Sequence, residues 1–190
     1  DRPRLREIER RLAARRVEQS VAAMRDVLVT RGQALDARPA ELIRFTGNED
    51  ADTLLNDLAN HPHAFVIACL MDRRVKAERA WLVPLRFQQR FGTFTFSDLM
   101  TLSRRQVLTL FVQTPSLHFM NEMMAGVFYE AIQRIHTEYS DNAGMLWADT
   151  PSSAAIVRRF LEFNGAGPKI ATMAANILVR DYKVAVSDKF

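Results

Sequence analysis

The chain has 190 residues, enough to bury one substantial core and to form one or two compact units. Its formal net charge of +4 favours a polyanionic partner without identifying one. The single cysteine, Cys69, excludes a disulfide and a cysteine-rich metal site, and no apolar run approaches the ~20 residues of a membrane span.

Strand patterns are nearly absent, and the glycines and prolines mark helix ends, so we expect an all-α protein. Arginine supplies 22 of the 26 basic residues. The planar guanidinium suits pairing with phosphate, although a GC-rich genome would produce the same excess. The composition alone therefore leaves the partner open.

Residues 3–31 predict one long helix that begins at Pro3 and ends at Gly32. We expect it to pack through an apolar stripe and to expose a basic face, the alternative being a DNA-contacting arm. Residues 33–48 are polar, with a short helix over 39–44, so we place an N-terminal region at 1–48 and a second domain at 49–190. The stripe consists of Leu5, Ile8, Leu12, Val17, Val21, Met24 and Leu28.

The next helices lead to the centre of the predicted domain. Asp50 is expected to cap a helix over 51–60. Pro62 begins a helix over 62–71 that is apolar on nearly every side and is therefore expected to be central, with Cys69 in the core. A helix over 75–90, kinked at Pro84 and closed by Gly92, follows the segment Asp72-Arg73-Arg74-Val75-Lys76.

Two short helices are predicted to begin at Ser97 and at Ser103, the second with Gln106 completing a capping box and with its end at Thr114-Pro115. A long helix over 116–139 should follow, and then a loop over 139–147. The expected core positions of the long helix are Met120, Met123, Met124, Val127, Phe128, Ala131, Ile132 and Ile135.

The last helices form a predicted hairpin. Ser152-Ser153 can cap a helix that stops at Asn164-Gly165, and Gly167-Pro168 starts another. Glycines at 165 and 167 leave the backbone amides of the turn accessible at the positive end of a helix dipole, where an anion binds well. The alternative is that both glycines serve only as helix caps.

The stretch Phe163-Asn-Gly-Ala-Gly-Pro-Lys-Ile-Ala171 resembles the hairpin Leu-Pro-Gly-Val-Gly-x-Lys-Thr-Ala of the helix-hairpin-helix–GPD superfamily of DNA glycosylases. His61-Pro-His-Ala-Phe-Val-Ile-Ala-Cys-Leu-Met71 resembles the family's Asn-Pro-Phe-x-x-Leu-Ile-Ala-x-x-Leu-Ser helix. The likeness covers roughly residues 50–190 and is greatest to endonuclease III-like proteins. It implies a helical bundle or barrel of the glycosylase type, here with an N-terminal helical extension.

The resemblance implies base-excision DNA repair. Lys169 matches the lysine of the bifunctional members, whose amine attacks C1′ of the sugar and forms a Schiff base that leads to strand cleavage as an AP lyase. Lys169 is one of only four lysines, and we expect the helix dipole and partial burial to favour its free amine.

The resemblance also implies a catalytic carboxylate. In the family it lies in Val-Asp-x-His about eighteen residues after the lysine. Here Asp188 stands one residue later and lacks the histidine. Relatives with a longer loop carry the acid further on, which would place it beyond Phe190.

DNA contacts are expected from the hairpin, at Asn164, Gly165, Ala166 and Gly167, and from Arg73 and Arg74. Arg74 stands where endonuclease III-like proteins carry a glutamine that helps to fill the gap left by an everted base. We expect it either to fill that gap or to belong to a plain surface basic cluster.

The expected protein is a monomeric, cytoplasmic and nucleoid-associated glycosylase that acts on double-stranded DNA, with no membrane partner. The four histidines lack metal-ligand spacing, and no cofactor is expected. The iron–sulfur cluster of many relatives would require a longer C-terminal region. The alternative is a helix-hairpin-helix module that binds DNA without chemistry.

Overall fold

The computed structural model describes residues 2–39 and 41–188, with side chains from residue 6 onward. The described chain is helical and contains no strand, so the all-α prediction is confirmed. Residues 1–40 and 41–190 form two compact units. The α-helices are α1 (Arg2–Asp36), α2 (Glu49–Asn56), α3 (Pro62–Met71), α4 (Ala77–Trp81), α5 (Val83–Phe91), α6 (Phe96–Leu99), α7 (Arg104–Val112), α8 (Asn121–Tyr139), α9 (Ser153–Leu161) and α10 (Pro168–Arg180).

The first unit is the single helix α1, which continues through Gly32 to Asp36 rather than ending at Gly32. A glycine inside a helix costs only about 1 kcal/mol, so it need not terminate one. The described apolar side chains of α1 are exposed. At 100° per residue, Ile8 and Leu12 lie on a face roughly opposite that of Val17 and Val21, because Leu12 and Val17 are five residues apart.

Residues 41–47 belong to the second unit. The short helix predicted over 39–44 is not formed by the residues of that range that the structure describes, 39 and 41–44. Phe45 stacks on Trp81 with ring centroids 4.3 Å apart. The buried carboxylate of Asp52 accepts hydrogen bonds from the amide and the hydroxyl of Thr46, at 2.9 and 2.8 Å. The structure thus divides the chain after residue 40, whereas the sequence pattern placed the division at 48.

Helix α3 is the centre of this unit, and all ten of its residues are buried, as its apolar composition predicted. It packs against α2, α4, α5, α8 and α10. Cys69 lies in this core, where burial raises the pKa of its thiol. The ring of Phe65 packs at 5.3–6.4 Å against those of Trp81, Trp147, Phe160 and Tyr182.

Several helix boundaries differ from the prediction because an unpredicted side chain caps the helix. Asn48 rather than Asp50 caps α2, accepting from the amide of Ala51 at 3.0 Å, and Thr95 rather than Ser97 caps α6. The predicted helix over 75–90 is two helices, α4 and α5, with Pro84 in the first turn of α5. A proline there costs no hydrogen bond, so it favours a new start at Val83 over a kink.

Other boundaries are confirmed. Gly92 ends α5 in the left-handed conformation, with φ of 97°, and Ser103 and Gln106 form the predicted capping box of α7.

Helix α8 starts at Asn121 rather than 116, after a cis Thr114-Pro115 bond. The predicted loop over 139–147 contains a 3₁₀ helix, Ala143–Leu146. Six of the eight predicted core residues of α8 are buried, whereas Met120 is half-buried and Met123 is exposed.

Among the described residues, no helix combines the length and the apolar character needed to cross a membrane.

We predict that acidification destabilises the second unit through His63. Its buried ring donates from Nε2 to the carbonyl oxygen of Phe94 at 2.7 Å, and burial lowers the pKa of His63 from 6.5 to about 4. Between pH 6.5 and about pH 4, His63 therefore binds a proton in the unfolded chain but not in the folded protein. The free energy of unfolding should therefore fall by about 2 kcal/mol from about pH 7.5 to about pH 5.

Denaturant titrations at both pH values measure this effect. His63→Gln can still donate to Phe94 but does not titrate, so it should lose most of the pH dependence. His136→Gln, at an exposed histidine that contacts Asp141, should retain it. An unchanged pH dependence in His63→Gln would assign the acid sensitivity to another group.

Candidate functional site

The predicted hairpin is present and consists of α9, a turn over residues 162–167, and α10. Ser152 caps α9 as predicted, and Pro168 occupies the first turn of α10. The amide of Ala166 donates to the carbonyl oxygen of Phe163 at 3.1 Å. Phe163 is buried beneath the turn and stacks on Tyr139 at 6.2 Å. The buried side chain of Phe163 therefore holds the turn against the core.

The two glycines of the hairpin have different roles. Gly165 has a φ of +88°, and a Cβ atom there would lie 3.1 Å from Cγ1 of Val127, so the fold itself requires this glycine. Gly167 has an ordinary extended backbone, with φ of −100° and ψ of 177°. A Cβ atom at Gly167 would meet nothing within 4 Å. Nothing inside the protein requires glycine at 167, and its outer side is open.

The amides at the start of α10 are available to a ligand. No side chain caps this helix, and the amide of Ala171 makes the first backbone hydrogen bond, to Gly167 at 3.0 Å. Within the described chain, the amides of Gly167 and Lys169 have no acceptor. These donors point out of the positive end of a thirteen-residue helix, an arrangement that binds phosphate or carboxylate.

Lys169 lies in the same turn, and its ammonium contacts a carboxylate that the sequence interpretation did not assign. Its Nζ is 3.4 Å from Oδ2 of Asp72, the residue that follows α3. The side chain of Lys169 is 80% exposed, so its expected partial burial is wrong, whereas that of Asp72 is only 8% exposed. The signal in the sequence was an acid placed directly after an entirely apolar helix.

Both charges occupy the helix end that disfavours them. Lys169 is a cation at the positive end of α10, and Asp72 is an anion at the negative end of α3. Each placement costs about 0.3–1 kcal/mol. An ion pair with one exposed partner contributes at most about 1 kcal/mol, so the pair offsets these costs without a clear gain in stability.

Asp188 lies elsewhere. Its carboxylate accepts from the amide and the hydroxyl of Ser153, at 2.8 and 2.7 Å, and these bonds lower its pKa. Ser153 is the first residue of α9, a helix about 13 Å long, whereas Lys169 lies beyond the other end of that helix, in the first turn of α10. The structure thus brings Asp72, and not Asp188, to the amine.

The predicted DNA contacts are only partly available. Arg73 and Arg74 are exposed, and neither guanidinium has an acidic partner among the described residues. Arg74 has a φ of +57°, a conformation that costs a non-glycine residue roughly 1–2 kcal/mol. The exposed side chain of Asn164, by contrast, already donates a hydrogen bond to Oε2 of Glu130 at 2.6 Å.

An exposed aromatic ring adjoins this surface and was not predicted. Phe119, 61% exposed, is the one exposed phenylalanine of the described chain, and it stacks on buried His118 at 5.0 Å. Burial lowers the pKa of His118, and the nearby carbonyl groups of Met71 and Arg73 act in the opposite direction. His118 thereby connects Phe119 to the end of α3, which carries Asp72.

Within the described residues, no group of three or more histidine, cysteine or acidic side chains is arranged to hold a metal ion. Comparison with known proteins gives no further guidance: no family model matches the chain, and no curated protein or solved structure matches it either. The geometry of the hairpin and the resemblance of its sequence are therefore the observations that bear on function.

We predict that Gly167→Val weakens binding of the protein to duplex DNA while leaving the fold intact. The branched side chain would cover the amides of α10, and its Cβ atom would meet no atom of the protein within 4 Å. A lost hydrogen bond to a charged phosphate is worth about 1.5–3 kcal/mol, or roughly a tenfold to hundredfold loss of affinity.

Fluorescence anisotropy measures the affinity, and circular dichroism with thermal unfolding checks the fold. Ser97→Val, an exposed change of similar size on α6, should bind as the parent does. If Gly167→Val also binds as the parent does, the hairpin is only a turn.

Proposed function

We propose that the chain is a base-excision DNA glycosylase with AP-lyase activity that uses Lys169 as its nucleophile. The observation that carries the proposal is the pairing of the Lys169 amine with the Asp72 carboxylate beside the uncapped amides of α10. In this arrangement uncapped backbone amides and an exposed amine lie next to a largely buried carboxylate. Damaged DNA presents the matching groups, namely a phosphate and an electrophilic sugar carbon.

In the proposed reaction the duplex is held by a backbone phosphate at the start of α10, and the altered nucleotide is everted at a cost of a few kcal/mol. The Lys169 amine attacks C1′, a carbon–nitrogen bond forms, and the bond to the base breaks with its electron pair leaving on the base. The C1′–O4′ bond then breaks, the nitrogen loses a proton and O4′ gains one, and a protonated Schiff base results. Loss of the C2′ proton from this Schiff base expels the 3′ phosphate and cleaves the strand.

Asp72 takes the carboxylate role that the resemblance assigns to Asp188. At 3.4 Å it is close enough to accept the proton that the amine must lose, and its negative charge stabilises positive charge on the sugar. The unfavourable helix ends of both residues support this assignment, because a pair selected for stability would carry the opposite charges there. Arginine at 169 would supply a charge but no nucleophile.

The second candidate function is a helix-hairpin-helix module that binds DNA without chemistry. The 80% exposure of Lys169 favours it, since an exposed ammonium is suited to a simple phosphate contact. The two functions differ in the covalent step, and a trapping experiment separates them.

We predict that borohydride traps a covalent complex between the protein and lesion-containing duplex DNA by reducing the Schiff base. Lys169→Gln should abolish trapping while leaving most of the binding intact. Asp72→Asn should slow trapping by tenfold or more, corresponding to at least about 1.4 kcal/mol in the barrier. The matched control is Lys76→Gln, at an exposed lysine that also follows α3, and it should trap normally.

The double exchange Asp72→Lys with Lys169→Asp tests a structural role of the pair. It places both charges at favourable helix ends and should leave the protein equally stable or stabilise it by up to about 1 kcal/mol. It should nevertheless abolish trapping. Trapping by Lys169→Gln would show that another amine reacts, and duplex binding without trapping on any lesion of a panel would favour the second candidate.

Arg74 should act on the everted state, because its strained turn lies next to Asp72 and its guanidinium is free to enter a base stack. We predict that Arg74→Ala lowers single-turnover cleavage of a lesion about tenfold, or about 1.4 kcal/mol, and weakens binding to undamaged duplex much less. Arg79→Ala, at an exposed arginine on α4, should change both little. Equal losses in both assays would identify Arg74 as one more phosphate contact.

A further inference from the structure

The net positive charge of this protein comes from one of its two units. Residues 1–40 contain ten arginines and six acidic residues, which accounts for the whole net charge of +4. Residues 41–190 contain sixteen basic and sixteen acidic residues and are therefore electrically neutral. Long-range attraction to a polyanion consequently arises from α1 and not from the unit that holds the hairpin.

Within α1 the charge is concentrated in residues 6–16, which we call the basic segment. It carries five arginines against Glu7 and Glu9, and these arginines are exposed. In the described chain, only Arg11 among them has a carboxylate partner, Glu7 at 2.9 Å. The unpaired arginines are Arg6, Arg10, Arg15 and Arg16.

The arginines surround the helix. At 100° per residue, Arg6, Arg11 and Arg16 point in directions at least 80° apart, and Arg10 and Arg15 lie between them. A helix that lies in a membrane surface separates a basic face from a broad apolar one, and the basic segment does not. Arginines on all sides of the helix instead suit the major groove of a duplex, where phosphates flank a bound helix on both sides.

We propose that the basic segment is an accessory DNA-binding arm that follows the phosphates of the duplex independently of base sequence. Eleven helical residues span about 16 Å, and duplex DNA carries one charge per ~1.7 Å of its axis, so the segment can neutralise several phosphates. The choice of duplex DNA as the polyanion rests on the proposed function. The arm supplies attraction that the neutral second unit lacks.

The test compares two triple variants of the full chain that remove the same charge. The arm variant is Arg10→Gln, Arg15→Gln and Arg16→Gln, and the control variant is Arg44→Gln, Arg79→Gln and Arg105→Gln, at exposed positions in the second unit. Glutamine and arginine have similar helix propensities, so α1 should remain helical, as circular dichroism will verify.

Binding to a short undamaged duplex is titrated over a range of salt concentrations. The log–log slope should become less negative by about 2 to 3 in the arm variant, from about 0.9 per phosphate contact, with little change in the control variant. Affinity at physiological salt should fall on the order of a hundredfold. Replacing the same three arginines by lysine should restore the slope, since the charge is retained.

A slope unchanged in the arm variant would overturn the proposal. Equal changes in both variants would also overturn it, because they would show that binding depends on the total charge of the protein and not on the arm. Vesicles of anionic phospholipid test the competing partner: if the arm substitutions abolish vesicle binding and leave duplex binding intact, α1 contacts a membrane. A different result would contradict the glycosylase proposal alone. In that case borohydride would trap no complex with the parent protein, and the arm substitutions would still change the salt dependence of duplex binding.

Discussion

Every side chain of α3 is buried, and the geometry of the proposed site depends on that burial. A helix enclosed by α2, α4, α5, α8 and α10 cannot rotate or slide without exposing apolar surface, at roughly 25 cal/mol per Å². Its C-terminal end is therefore fixed in space, and with it Asp72. Helix α10 packs against the same core through Ile170 and Ala171, next to Lys169. Two charged residues ninety-seven positions apart are thus brought together by apolar packing.

Each charge of the pair lies at the end of a helix dipole that disfavours it, because Asp72 follows α3 and Lys169 is in the first turn of α10. Stability gives little reason to keep such an arrangement. The proposed chemistry gives one, because the amides at the positive end of α10 attract a phosphate next to the Lys169 amine.

Attraction and chemistry are assigned to different units in this interpretation. The neutral second unit offers a small number of directed donors, namely the amides of α10 and the side chains of Arg73 and Arg74. The long-range field comes from the arginines of α1. Such a division would let the hairpin discriminate by geometry while the arm keeps the protein near the duplex, because screened charge–charge attraction needs no defined orientation.

The sequence by itself determined the all-α class, the central position of α3, the capping box at Ser103 and the hairpin with Pro168 in its second helix, because each depends on neighbours a few residues apart. Local patterns failed where a longer-range contact decided. Thr46 bonds to Asp52 and Phe45 stacks on Trp81, and these contacts bind residues 41–47 to the second unit. Only the tertiary structure paired Lys169 with Asp72 and moved Asp188 to Ser153. The reason is physical: the distance between two distant side chains is set by how buried helices pack against one another, and no spacing along the chain encodes it.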